Sequence, residues 1–167
     1  MKHIAIFAVM IGLMMNSEPV QANAFTLYFA RHAQKEKAPS NPGLNQQGQR
    51  SAQQLADILE YAGVEAVLST DYNRTRETAQ PLAERLKLQV ETYPTGDNEA
   101  FIRRLLDQRK TVLVVGHSNT VPELVRLAGG QAPDLSERHY GDIFQLTYID
   151  DTVLTTRLRI PTYATTD

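Results

Sequence analysis

The sequence predicts an α/β chain: a three-layer sandwich in which a largely parallel sheet is flanked by helices, with a β-hairpin at the C-terminus. Two observations predict it. Short apolar runs suited to buried strands, Phe25 to Ala30, Ala66 to Ser69 and Thr111 to Val115, alternate with longer stretches whose apolar residues recur at helical spacing. Each of these runs also ends in polar residues, Arg31-His32, Thr70-Asp71 with Arg74 close behind, and Gly116-His117. In open α/β sheets ligands bind beyond the carboxyl ends of the strands, so the polar tips would share one edge.

Taken in order, Phe25 to Ala30 reads as a buried strand, and a Pro/Asn/Gly-rich loop follows from Ala38 to Gly43. Ala52, Leu55, Ala56, Ile58 and Leu59 keep helical spacing through about Tyr61, and Gly63 ends that helix. After the strand Ala66 to Ser69, helix resumes from about Asn73 to Leu86, with Pro81 expected to bend or interrupt it for want of an amide hydrogen. A weak strand at Leu88 to Glu91, a loop at Thr92 to Asn98 and a helix from Glu99 to Gln108 come next. The strand Thr111 to Val115 is followed by a helix from Val121 to Ala128 that stops at Gly129-Gly130, as C-terminal glycines favour. Ile143 to Tyr148 and Thr152 to Arg159 around Asp150-Asp151 form the hairpin.

A chain of 167 residues is long enough for one core, so residues 25–167 are read as a single domain. The segment before it has the layout of a secretory signal peptide: Lys2, an apolar run from Ile4 to Met15, and Ala22-Asn23-Ala24 as a cleavage site. That run falls well short of the ~20 residues a bilayer span needs. Residues 1–24 are therefore expected to be removed, after Ala24 or after Ala22, leaving a periplasmic or secreted protein with no stable membrane anchor. With no cysteine, there is no disulfide framework, thiol nucleophile or lipid-anchored residue. A net charge of -2 without a basic arm or stripe argues against a nucleic acid partner.

Singly, Arg31, His32, Arg74 and His117 have ordinary readings as surface charges or a buried histidine. Together they bring two imidazoles and two guanidiniums to one sheet edge, a concentration of positive charge that no core requires. The glycine-rich phosphate loop, the His-Glu-x-x-His helix and the Gly-x-Ser-x-Gly elbow are all missing from the sequence. Neither a cofactor nor a metal is expected.

Arg31-His32-Ala33, then Leu44 with Gly48 and Ala52, then Ser69 to Ala79 with Arg74, Thr75 and Thr78, and finally Gly116-His117-Ser118-Asn119-Thr120 stand in order along the chain. In these four blocks the sequence resembles the histidine phosphatase superfamily, the phosphoglycerate-mutase-like fold. The Arg-His-Ala and Gly-His-Ser-Asn-Thr forms resemble a compact bacterial branch that is often exported. Ala33 replaces the commoner glycine, a small-for-small change the loop is expected to tolerate. The resemblance implies a phosphomonoester hydrolase working through a phosphohistidine on His32, with Arg31, Arg74 and His117 holding the phosphoryl group of a small phosphorylated substrate. Unaided chemistry agrees, since a neutral imidazole attacks phosphorus and guanidinium forks onto phosphoryl oxygens. Mutase-type transfer and a phosphate-binding module with little turnover remain alternatives.

The proton donor is less determined. The superfamily often takes it from the segment after the third strand or from the residue after the second histidine, which here is Ser118. That leaves Asp97 as the expected acid and Glu99 as its alternative, each with a competing reading as a helix cap or a first-turn acid. The short chain leaves little room for a lid, so an open pocket is expected.

Overall fold

The structure is a computed structural model that describes residues 24–38 and 40–161. Residues 1–23, which carry most of the predicted signal peptide, lie outside the described residues. Within the described residues no helix is long and apolar enough to cross a membrane.

Six strands form one sheet in the order β3-β2-β4-β1-β5-β6. They are β1 (Phe25–Arg31), β2 (Ala66–Ser69), β3 (Val90–Thr92), β4 (Val112–Gly116), β5 (Asp142–Ile149) and β6 (Thr152–Arg159). The pairs β2·β3, β2·β4 and β1·β4 are parallel, whereas β5 and β6 join antiparallel as the predicted hairpin. The helices are α1 (Gln46–Leu59), α2 (Asn73–Leu86), α3 (Asn98–Gln108) and α4 (Thr120–Leu127).

Side chains alternate across a strand, so a central strand feeds two cores. In β1, Leu27 and Phe29 pack with Phe101, Leu105, Val121 and Leu124 of α3 and α4. Tyr28 and Ala30 pack with Leu55, Leu59, Leu82 and Ala83 of α1 and α2 on the other face. This is the three-layer arrangement that the apolar runs predict. It also fixes the site: β1 leads to α1 on one face and β4 to α4 on the other, so the chain diverges between two neighbouring strands and opens a crevice at their tips.

Local details depart from expectation in two places. Helix α2 runs unbroken through Pro81, because buried Thr78, Ala79, Leu82 and Ala83 hold it against the sheet despite the missing amide hydrogen. The third strand is Val90–Thr92, later than expected, because Lys87 takes a left-handed conformation (φ 56°) that ends α2 and delays the extended run.

Helix α1 starts at a cap: the Asn45 side chain accepts from the Gly48 amide at 2.9 Å. Gly48 itself is buried, and a Cβ there would meet the Gln34 carbonyl oxygen at 2.0 Å. Gly48→Ala would gain about 1 kcal/mol of helix propensity, but opening a backbone contact that close costs about 1–3 kcal/mol or more. The expected net result is a destabilised protein with a lower urea midpoint. An unchanged or higher midpoint would show that α1 and the segment after His32 do not need this approach.

Candidate active site

The tips of β1, β2 and β4 bring Arg31, His32, Arg74 and His117 together, as the sequence predicts. Parallel pairing sets Arg31 opposite Gly116, and the His32 amide donates to the Gly116 carbonyl at 2.9 Å. The two imidazole rings lie 5.4 Å apart, edge to face. Ala33 needs no positive φ; its methyl packs with Leu44 and Ala52, and its amide donates to Thr78 Oγ1 at 2.9 Å. That is why alanine serves here.

Hydrogen bonds fix the tautomer of each histidine. His32 Nδ1 lies 2.8 Å from the Ala33 carbonyl, which can only accept. The proton is therefore on Nδ1, and Nε2 carries the lone pair. His117 Nδ1 faces Arg74 Nη2 at 3.5 Å, and guanidinium can only donate, so the His117 proton is on Nε2, 3.0 Å from Thr70 Oγ1. Thr70 can accept it because its own hydroxyl donates to Thr75 Oγ1 at 2.9 Å.

Both rings are held neutral. Burial pushes the His32 pKa down to about 4, with Arg31, His117 and Arg74 adding repulsion and the Ala33 carbonyl opposing it. Burial followed by Arg74 and Arg31 brings His117 to about 4 as well, against a small opposite pull from Glu137.

Arg31 is almost wholly buried, with 1% of its side chain exposed. The segment between α4 and β5 compensates it. Nη1 donates to the carbonyls of Ser136 and His139 at 2.9 and 2.8 Å, and Nη2 donates to Glu137 Oε2 at 3.0 Å. The Tyr140 ring lies 4.1 Å from the guanidinium carbon. Arg74 rests on Tyr72 in the same way, at 4.4 Å. The Nε atoms of Arg31 and Arg74 are buried without a hydrogen-bond partner. Such orphaned donors each cost about 1–3 kcal/mol, and an anion in the pocket relieves that cost.

The two predicted acids go elsewhere. The Asp97 carboxylate accepts from the Ala100 amide at 2.9 Å and caps α3, and Glu99 faces Arg103 one turn on at 3.6 Å. Among the described residues no hydrogen bond or ion pair joins either to the four site residues. The reason is local: a carboxylate just before a helix finds free amides nearer than a pocket.

Glu137 was not anticipated from the sequence. It bonds Arg31 and accepts from Ser118 Oγ at 2.6 Å. The signal that could have found it is the stretch from Gln131 to Gly141, too long and too polar around Ser136 to Tyr140 to be a plain connection. This strap borders Arg31 and Ser118. Among the described residues no cluster of metal-ligating side chains is present.

Residues 27–95 match the family model of the histidine phosphatase superfamily, branch 1. Over this stretch the chain is similar to that superfamily. No curated protein matches the sequence. Among solved structures, the protein histidine phosphatase SixA in complex with tungstate aligns with a TM-score of 0.67 at 19% identity, over 81% of this chain and 97% of that one. A mycobacterial glucosyl-3-phosphoglycerate phosphatase with inorganic phosphate aligns with a TM-score of 0.60 at 15% identity, over 83% and 98%. A protein described as mycobacterial hydrolase 1 gives 0.61 at 14%, over 84% and 100%. At these identities the likeness is one of fold.

The neutral histidines couple stability to pH. A solvated histidine titrates near 6.5, and His32 holds out to about 4, so the unfolded chain binds more protons between those values. Stability contributed by the uncharged ring is present above pH 6.5 and is lost as pH falls toward 4. In urea unfolding at pH 7 and pH 4.5, wild type should lose about 2 kcal/mol more than His32→Gln. Equal losses would mean that the ring is already solvated.

Proposed function

We propose that this protein is a phosphatase in which His32 Nε2 attacks the phosphorus of a phosphomonoester and carries a transient phosphohistidine. One observation carries the reading: a buried imidazole with its lone pair on Nε2 stands beside two guanidiniums whose Nε donors have no partner. The phosphatases of like fold, one holding tungstate and one phosphate, support it.

The Ala33 carbonyl keeps the proton on Nδ1, so Nε2 attacks without first losing one. Arg31 and Arg74 then meet the equatorial oxygens, where each unit charge at about 4 Å is worth roughly 4 kcal/mol at an effective dielectric near 20. A bound dianion also favours proton uptake at His117 Nδ1, which turns that ring from an acceptor into a donor. Charge is met by guanidinium and imidazole, so the reaction proposed here uses no metal.

The substrate we propose is a small phosphorylated compound of the envelope or the extracellular medium, met after export and cleavage beside Ala24. The cleavage point would leave Phe25, the buried first residue of β1, at the new terminus. Intact mass of protein recovered outside the cytoplasm tests this, and a species still carrying residues 1–16 would end the export proposal.

His32→Ala is expected to lose activity on phosphomonoesters while keeping its fold, and Arg74→Ala to lose about 10²–10³ in turnover, the scale of one transition-state charge contact. Alkali-quenched reaction with a labelled ester should place phosphate on His32, and a chelator should leave the rate unchanged. Full activity of His32→Ala would refute the mechanism. Tight phosphate binding without turnover in wild type would instead favour a binding module.

A further inference from the structure

Displacement at phosphorus leaves an oxyanion that needs a proton, and neither Asp97 nor Glu99 reaches the pocket. Two other carboxylates near the strand tips are also committed. Asp71 pairs with Arg76, and Glu77 accepts from the Leu44 amide at 2.6 Å. Among the described residues, Glu137 is the one carboxylate bonded to any of Arg31, His32, Arg74 and His117.

Its position is built. The turn Ser136–His139 closes with the His139 amide on the Ser136 carbonyl at 3.1 Å. It is tightened by the Ser136 amide on His139 Nδ1 at 2.9 Å and the Arg138 amide on Ser136 Oγ at 3.2 Å. Both end carbonyls of the turn sit on Arg31 Nη1, so the buried guanidinium is its base. Glu137, the second residue of the turn, then bonds Arg31 Nη2 with one carboxylate oxygen and takes the Ser118 hydroxyl on the other. Its side chain is 74% exposed, as a group that exchanges protons with solvent must be.

From this geometry we infer that Glu137 is the proton donor to the departing oxygen, and that Ser118 is the positioning residue that orients its carboxyl. The assignment rests on the phosphatase reading above. In the first step the His32 Nε2–P bond forms, the ester P–O bond breaks, and the Glu137 proton goes to the leaving oxygen. In the second, water attacks phosphorus, the N–P bond breaks, and the water proton returns to Glu137. Products are an alcohol and inorganic phosphate, and both side chains end as they began.

The charge state follows the substrate. Before substrate binds, the Ser118 hydrogen bond, Arg31, His32 and Lys35 hold the Glu137 pKa below the usual carboxylate range against slight desolvation. Arg138, His139 and Tyr140 adjoin it in the strap. A phosphate dianion beside Arg31 reverses the balance, because it competes for the guanidinium and adds like charge next to the carboxylate. Glu137 thus takes up its proton as the ester enters.

The test compares glycerol 2-phosphate, whose alkoxide leaves poorly, with 4-nitrophenyl phosphate, whose phenolate needs little help. Glu137→Gln should lower kcat/KM on the alkyl ester by about 10²–10³-fold, against tenfold or less on the aryl ester. It should also remove the basic limb of the alkyl-ester pH profile. Ser118→Ala should shift the same ratio by a smaller factor, and Asp97→Asn should leave it unchanged. Alkaline-quench trapping of phosphate on His32 from the aryl ester shows that the variant pocket is assembled. Equal losses on both esters, a gain on both, or no trapped phosphate in Glu137→Gln would overturn the assignment, the last by making the strap purely structural. Wild type inactive on both esters would refute the phosphatase reading itself, and this inference with it.

Discussion

A guanidinium taken out of water at the tip of β1 is the constraint around which this pocket is arranged. A buried charge is tolerated only when its hydrogen bonds and its charge are both answered. Arg31 draws two carbonyls, a carboxylate and an aromatic face from a single segment, the strap between α4 and β5. The same cation disfavours protonation of both histidines. Strap geometry and anion affinity therefore have a common origin, and the cation adds to the burial that keeps both imidazoles neutral.

Secondary structure supplies the rest of the placement. Because α1 and α2 cover one face of the sheet and α3 and α4 the other, the tips of β1 and β4 part where their chains turn away in opposite directions. His32 and His117 each follow the last residue of one of these strands, so parallel register sets their spacing. The threonines at 70, 75 and 78 act one layer back: Thr70 takes the His117 proton in a hydrogen bond, Thr75 accepts from Thr70, and Thr78 receives the amide that follows His32. These hydroxyls are buried, and each is bonded, so the rings they orient cannot turn freely.

Aromatic rings frame the two arginines. The guanidinium carbon of Arg31 lies over the Tyr140 ring and that of Arg74 over Tyr72, and each ring is edge-on to a histidine. A ring under the guanidinium carbon does not occupy the in-plane Nε donors, which are left without a partner in both arginines. A carboxylate within the same wall gives the pocket both signs of charge, which bears on what can leave as well as on what can bind.

Much of this was determined by the sequence alone. Apolar runs of strand length, helical spacing between them and polar residues at each run's end were enough to place Arg31, His32, Arg74 and His117 at one edge, because period and hydrophobicity are local properties of the chain. The helix that continues through Pro81 and the late start of β3 lay beyond that reach, since buried neighbours and a left-handed Lys87 decide them. The proton donor was harder still. Asp97 was legible as either a cap or an acid, and only packing chose the cap, by offering the Ala100 amide at hydrogen-bond distance. Glu137 carries no pattern of its own in the sequence; it meets Arg31 across more than a hundred residues because a buried guanidinium needed partners, and that need exists only once the sheet has closed over it.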